Sequence, residues 1–220
     1  MGKFEAAIFD IDGTLWNIFP LYYKAVTKSL KNYGIPTPNF DYLTGMLKAG
    51  ESFREKLTDM TRSLALDVSI DEVIMEIRDL FNDLEERTLE PYPGALDLFS
   101  QLKKHHMRIG LATGRRAPRE RIRKICLKMG LNHFIDAVTS LHYVQNRKPA
   151  PDLIIDCAER LRVPIEKCLV VGDTKDDILA AHKAGGTAIG ILSGIDNYRQ
   201  MMEARPLAVV KSLEEILEFI

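Results

Sequence analysis

Six short stretches of the chain are nearly unbroken runs of apolar or small residues: 6–9, 108–112, 137–139, 168–171, 187–191 and 207–210. They do not alternate with polar positions, as a strand exposed on one face would. Continuous runs of this length predict strands covered on both faces, the habit of parallel sheets. Helical periodicity fills most of the gaps between them. It covers 95–102, 118–129 with Ile122, Ile125, Cys126 and Met129 on one face, 151–161, and 176–184, which Gly185-Gly186 stops. Strand and helix in alternation predict an α/β fold built on a doubly wound parallel sheet.

The first two strands break that rhythm. From Leu15 to Glu90 no convincing strand occurs, and helical spacing dominates. The clearest segment opens at Ser69, with Glu72 three positions on as a capping box, and carries Ile70, Val73, Ile74, Ile77, Phe81 and Leu84 on one face. A crossover helix needs far fewer residues than this. The pattern predicts a helical module over 16–90, inserted into a sheet domain made of 1–15 and 91–220. Pro91-Tyr92-Pro93-Gly94 marks the return.

Composition narrows the class of protein. Hydrophobic residues are 46% and charged residues 28% of 220, which excludes a disordered or collagen-like chain. The net charge of -1 supplies no overall field for nucleic acid or anionic lipid. One basic run does occur, with Arg115, Arg116, Arg119, Arg121, Arg123, Lys124 and Lys128, but it has no interleaved aromatics and reads as a solvated helix face. The three cysteines, Cys126, Cys157 and Cys168, form no Cys-x-x-Cys pair and fit a reducing compartment. The apolar run before Asp10 is shorter than a signal-peptide core, and no stretch approaches a membrane span. The expectation is a cytoplasmic protein, monomer or homodimer, with neither nucleic acid nor membrane as partner.

Ligands of open parallel sheets bind at the carboxyl ends of the strands. Four such loops carry chemistry here. The first holds Asp10-Ile11-Asp12-Gly13-Thr14, the second Thr113-Gly114-Arg115, another Lys148 just before Pro149, and the last Gly172-Asp173-Thr174-Lys175-Asp176-Asp177. Asp10 and Asp12 are two apart and share a side of an extended chain; Asp173 and Asp177 are four apart at a helix start. Crowded carboxylates need protons or a cation among them, and hard oxygen donors suit Mg²⁺. The expected metal set is Asp10, Asp12, Asp173 and Asp177, with Asp177 either a direct ligand or an orienting group. Asp10 is the expected nucleophile, forming an aspartyl-phosphate, and Asp12 its acid–base partner. Thr113, Gly114 and Lys148 are expected to bind the phosphate, with Lys148 neutralising charge. Arg115 reads as local charge balance, outside the site.

In their order and spacing these elements resemble the motifs of the haloacid dehalogenase-like superfamily, in its phosphatase branch. The resemblance covers nearly the whole chain. It implies that the insert is a mobile α-helical cap over the Rossmann-like core, and that the chain is a Mg²⁺-dependent phosphoric monoester hydrolase acting on a small phosphorylated metabolite. The stretch from Asp12 to Tyr22 is similar to the start of the cap in phosphoglycolate phosphatase and β-phosphoglucomutase relatives, although Asn17 and Phe19 stand where those often carry acidic residues. A phosphomutase that reuses the aspartyl-phosphate is the alternative. A receiver-type signalling module also uses an acidic rim with Thr and Lys, but the helical insert and the Asp-x-Asp-Gly-Thr spacing argue against it. Within the cap, Arg54 is expected to reach the substrate, with Gly50 allowing the backbone to turn; the competing reading pairs Arg54 with Glu51 or Glu55.

Overall fold

A computed structural model describes residues 4–48 and 52–220. Gly50 and Glu51, invoked above for Arg54, lie outside the described residues. The chain divides into two compact units, Met1–Asn17 with Glu90–Ile220, and Ile18–Leu89. Trp16 and Asn17 thus group with the sheet unit, not with the helical insert. The reason is local: Trp16 pairs as an isolated bridge with both Asp12 and Pro91, and Tyr92 N donates to Leu15 O at 2.7 Å.

The sheet unit holds strands β1 (Ala6–Phe9), β2 (Arg108–Thr113), β3 (Ala137–Ser140), β4 (Cys168–Gly172), β5 (Thr187–Ile191) and β6 (Ala208–Val210). All neighbours run parallel, in the order β3-β2-β1-β4-β5-β6. The expected doubly wound α/β sheet is therefore present. β1, β3 and β4 are buried along their whole length, which explains their unbroken apolar sequence. The strand order reverses direction beside β1, so the crevice between the ends of β1 and β4 is the topological switch point where such sheets bind ligands.

Register decides what meets there. Phe9 is level with Leu111 of β2 and with Val171 of β4, and Asp10 N donates to Val171 O at 2.9 Å. The residues following these three strands, around Asp10, Thr113 and Asp173, therefore emerge side by side. Flanking helices, numbered along the whole chain, are α5 (Ala95–Lys104), α6 (Arg119–Lys128), α7 (Asp152–Leu161), α8 (Lys175–Ala184) and α9 (Tyr198–Glu203). α8 starts with a complete capping box between Thr174 and Asp177, and Gly185 ends it in the left-handed region.

The helical unit contains α1 (Phe19–Asn32), α2 (Phe40–Lys48), α3 (Phe53–Ser63) and α4 (Ile70–Thr88). Ala25, Val26 and Leu30 of α1 pack with Val73 and Ile77 of α4, the spacing that puts one stripe of each helix inside. Where those helices meet, Ser29 Oγ donates to Glu76 Oε2 at 3.1 Å. Ser69 Oγ caps α4 by accepting from Glu72 N at 3.4 Å, and Pro20 lies in the first turn of α1. No helix among the described residues is long and apolar enough to cross a membrane.

Candidate active site

A cleft of about 340 Å³ opens at the switch point, lined by Asp10, Asp12, Gly114, Lys148, Asp173 and Asp177 among others. All four expected loops contribute to it or border it. Lys148 stands at its centre. Its Nζ donates to Asp10 Oδ1 at 2.6 Å, Asp177 Oδ1 at 2.5 Å and Ala112 O at 2.8 Å. Three acceptors use all three ammonium protons, so the amine is fixed in position. Among the described residues, the other Asp10 oxygen accepts no hydrogen bond.

The electrostatics follow from this crowding. Burial pushes the Asp10 carboxyl up to about 7; Lys148 opposes the shift, and the charges of Asp177 and Asp12 add to it. Burial raises Asp173 well above the usual carboxylate range too, with Asp10 and Asp177 adding to the effect. Burial disfavours the Lys148 ammonium, yet Asp10 and Asp177 outweigh that and hold it above the ordinary lysine range. One ammonium is too little positive charge for three buried carboxylates, and that deficit fits a divalent cation.

Each carboxylate has its own holder. Asp173 accepts from Thr14 Oγ1 at 2.9 Å and from Ile195 N at 2.9 Å. Asp177 spends Oδ2 on the helix cap, accepting from Thr174 N and Oγ1 at 3.0 and 2.6 Å, and spends Oδ1 on Lys148. Gly13 is required by contact as well as by conformation. Its φ is +92°, and a Cβ there would sit 2.4 Å from Asp173 Oδ2.

The Asp12 side chain is held by Arg115 and Trp16. Arg115 Nε donates to its Oδ2 at 2.6 Å and Nη2 to its Oδ1 at 2.5 Å, while Trp16 Nε1 donates to Oδ1 at 3.0 Å. Arg115, read above as lying outside the site, is thus joined to one of its central residues. No group of three or more His, Cys, Asp or Glu side chains among the described residues is arranged to hold a metal ion. Asp12 has both oxygens taken by the Arg115 guanidinium, and Asp177 has both taken by Lys148 and the Thr174 cap. Asp10 gives Lys148 one oxygen only and Asp173 accepts from neutral donors alone, so Asp10 and Asp173 are the carboxylates whose surroundings fit a cation. Two are enough for Mg²⁺, which commonly completes its shell with water and phosphate oxygens. Thr113 is buried at the end of β2, with Oγ1 accepting from Arg115 N at 3.2 Å. Arg54, in the other unit, pairs with Asp71 at 2.8 Å, and of the two neighbours considered above Glu51 lies outside the described residues.

The sequence reading missed the loop after β5. Ser193 Oγ donates to Gly13 O at 2.6 Å, Tyr92 Oη donates to Ser193 O at 2.7 Å, and Ile195 N holds Asp173. The signal was available: a buried strand ending at Ile191 and followed by Ser193-Gly194 is a fifth strand-end loop on the same rim.

A parallel sheet with carboxylates and a lysine gathered at its switch point defines a hydrolase-type active site on an α/β core. The haloacid dehalogenase-like hydrolase family matches residues 7–191, and the chain belongs to it. It is 30% identical to a phosphorylated carbohydrates phosphatase of Thermotoga maritima over 97% of this chain and 96% of that one. It is 24% identical to a phosphoglycolate phosphatase of Escherichia coli O157:H7 over 99% of this chain and 94% of the relative. Among solved structures, a candidate β-phosphoglucomutase from Thermotoga maritima superposes with a TM-score of 0.82 at 27% identity, covering 97% of both chains. The expected family, fold and enzyme class, a phosphoric monoester hydrolase, all agree with these findings. Phosphatases of this family generally use Mg²⁺.

Proposed function

We propose that the protein is a phosphatase of small phosphorylated metabolites that works through an aspartyl-phosphate on Asp10. The observation that carries this reading is the Asp10–Lys148–Asp177 triad at the switch point. Lys148 holds one Asp10 oxygen and leaves the other turned to the cleft. That oxygen attacks phosphorus, and the bond from phosphorus to the ester oxygen breaks. Asp12 gives its proton to the departing alkoxide. In the second half Asp12 takes a proton from water as the water oxygen attacks the same phosphorus. The phosphorus–Asp10 bond then breaks, restoring the carboxylate and releasing inorganic phosphate.

Thr113, Gly114 and Lys148 bind phosphate oxygens in this reading. Asp10 and Asp173 would hold Mg²⁺, whose charge there lessens the repulsion between a carboxylate nucleophile and a phosphate dianion. Asp177 orients Lys148. By its resemblance to the family's insert, the helical unit is read as the cap.

The test is release of inorganic phosphate from a panel of sugar phosphates and phosphorylated acids. Multiple turnovers are expected with Mg²⁺ and none with EDTA, and Asp173→Asn is expected to raise the Mg²⁺ concentration required. Full activity in EDTA would contradict the metal assignment. The structural likeness to a candidate β-phosphoglucomutase favours one second reading, a phosphomutase. Isomerised sugar phosphate without phosphate release would establish it.

A further inference from the structure

We infer that Arg115 is a latch on Asp12, opened by substrates that carry a second anionic group beyond the phosphate they lose. The inference rests on the reading of Asp12 as the acid–base residue. It names the substrate class: phosphate esters bearing a carboxylate or a second phosphate.

The latch is a fork. Two guanidinium nitrogens of Arg115 reach the two different oxygens of Asp12, at 2.6 and 2.5 Å, and the Trp16 indole adds a third donor at 3.0 Å. Both side chains of the ion pair are mostly buried, at 15% and 22% exposure. The guanidinium carbon lies 6.0 Å from the Trp16 ring centre, and the Arg115 backbone is tied to Thr113 Oγ1. The arrangement is built, not incidental.

A carboxylate held this way is an acceptor on both oxygens. Asp12 therefore cannot hand a proton to an ester oxygen while the fork is closed, and each turnover needs Arg115 to let go. Bidentate charge-assisted pairs are the strong kind. A neutral sugar hydroxyl offers too little in exchange. A second carboxylate or phosphate matches the planar fork as well as Asp12 does. Asp12, the carboxylate that the fork holds, and Gly114, the residue before Arg115, both line the cleft. Arg147 lines the same cleft, is exposed, and makes no ion pair among the described residues, which adds attraction for such a substrate.

The test uses the chain's single tryptophan, which is part of the latch. An Asp10→Asn variant with Mg²⁺ is titrated with 2-phosphoglycolate, whose tail is anionic, and with glycerol 3-phosphate, whose tail is neutral. Calorimetry sets saturation for each. Trp16 emission is expected to shift at saturation with the first ligand and to stay at its free value with the second. With Asp10 intact, Arg115→Gln is expected to bring kcat for the two substrates to within about twofold, chiefly by raising the neutral one, from a wild-type preference of about tenfold or more. An equal Trp16 response to both ligands, no binding of 2-phosphoglycolate, or an equal fall in both kcat values in Arg115→Gln would overturn the latch. The emission comparison needs no Arg115 variant, so it decides even where that variant folds poorly. It needs no turnover either, so a failure of the phosphatase reading shows separately, as absence of phosphate release by the wild type.

Discussion

At Asp10, burial and charge pull in opposite directions. Burial, with Asp177 and Asp12 nearby, favours the neutral acid, and Lys148 favours the carboxylate. The outcome near 7 has a consequence for stability. A carboxyl whose folded pKa lies above its unfolded value stabilises the fold when protonated, and that contribution is lost as pH rises from the ordinary value of 3.8 toward 7. Asp10→Asn removes a charge that is costly to bury at neutral pH. In EDTA the variant is expected to melt a few degrees above wild type at about pH 8 and to match it near pH 4. Thermal scans at the two pH values check this; a variant less stable than wild type at both would contradict the burial argument. The variant is inactive in the proposed mechanism, so stability and activity change in opposite senses at one residue. Asp12 shows what short-range reasoning cannot reach. Its spacing from Asp10 is visible in sequence, but its partner Arg115 stands 103 positions away and meets it only because β1 and β2 are neighbours.

Among the elements, the strand ends were the most legible part of the chain. Continuous apolar runs located β1 to β6, and the ends of the first, second and fourth runs pointed to Asp10, Thr113 and Asp173, which the sheet register brings out side by side. The loop after β5 escaped because it acts through a backbone N–H and a serine, residue features without a motif. Helix packing has the same character. Asp156 of α7 accepts from Thr139 Oγ1 of β3 at 2.6 Å and from Arg160 Nε at 2.7 Å, with Arg119 of α6 at 3.8 Å. Burial pushes Asp156 up, but hydrogen bonds from Arg160 and Thr139 and the charges of Arg160 and Arg119 outweigh it and leave the carboxyl below its ordinary value. A lowered pKa stabilises the fold above the ordinary carboxylate value and is lost as pH falls through the lower, folded one. Asp156→Ala is expected to cost about 1–3 kcal/mol at neutral pH. Denaturant unfolding at pH 7 and at about pH 3 should show the gap narrowing in acid. An unchanged gap would mean that the loss is one of packing.

Over the whole molecule, the insert divides the labour. The sheet unit carries every charged side chain of the proposed chemistry, and the helical unit has its own core between α1 and α4. The change of hydrophobic period between the sheet segments and the insert was legible in the sequence. The role of single insert residues was not, since surface charges on helices look alike in sequence. Arg54 illustrates this. Its pair with Asp71 is 52% and 83% exposed at its two ends, a type of contact that contributes about 0–1 kcal/mol. Arg54→Ala is expected to change kcat/KM for 2-phosphoglycolate and for p-nitrophenyl phosphate by the same factor, within about twofold. A selective loss on the first substrate would make Arg54 a substrate contact after all.

The central claim is that Asp10 becomes covalently phosphorylated. Wild-type protein with Mg²⁺ is mixed with p-nitrophenyl phosphate, quenched in acid during the first turnover, treated with borohydride, digested and mapped by mass spectrometry. The account predicts a phosphoryl adduct on the peptide containing Asp10, converted by borohydride to homoserine at position 10. A burst of nitrophenol with the phosphoryl group on any other residue, or with no adduct on Asp10, would contradict it.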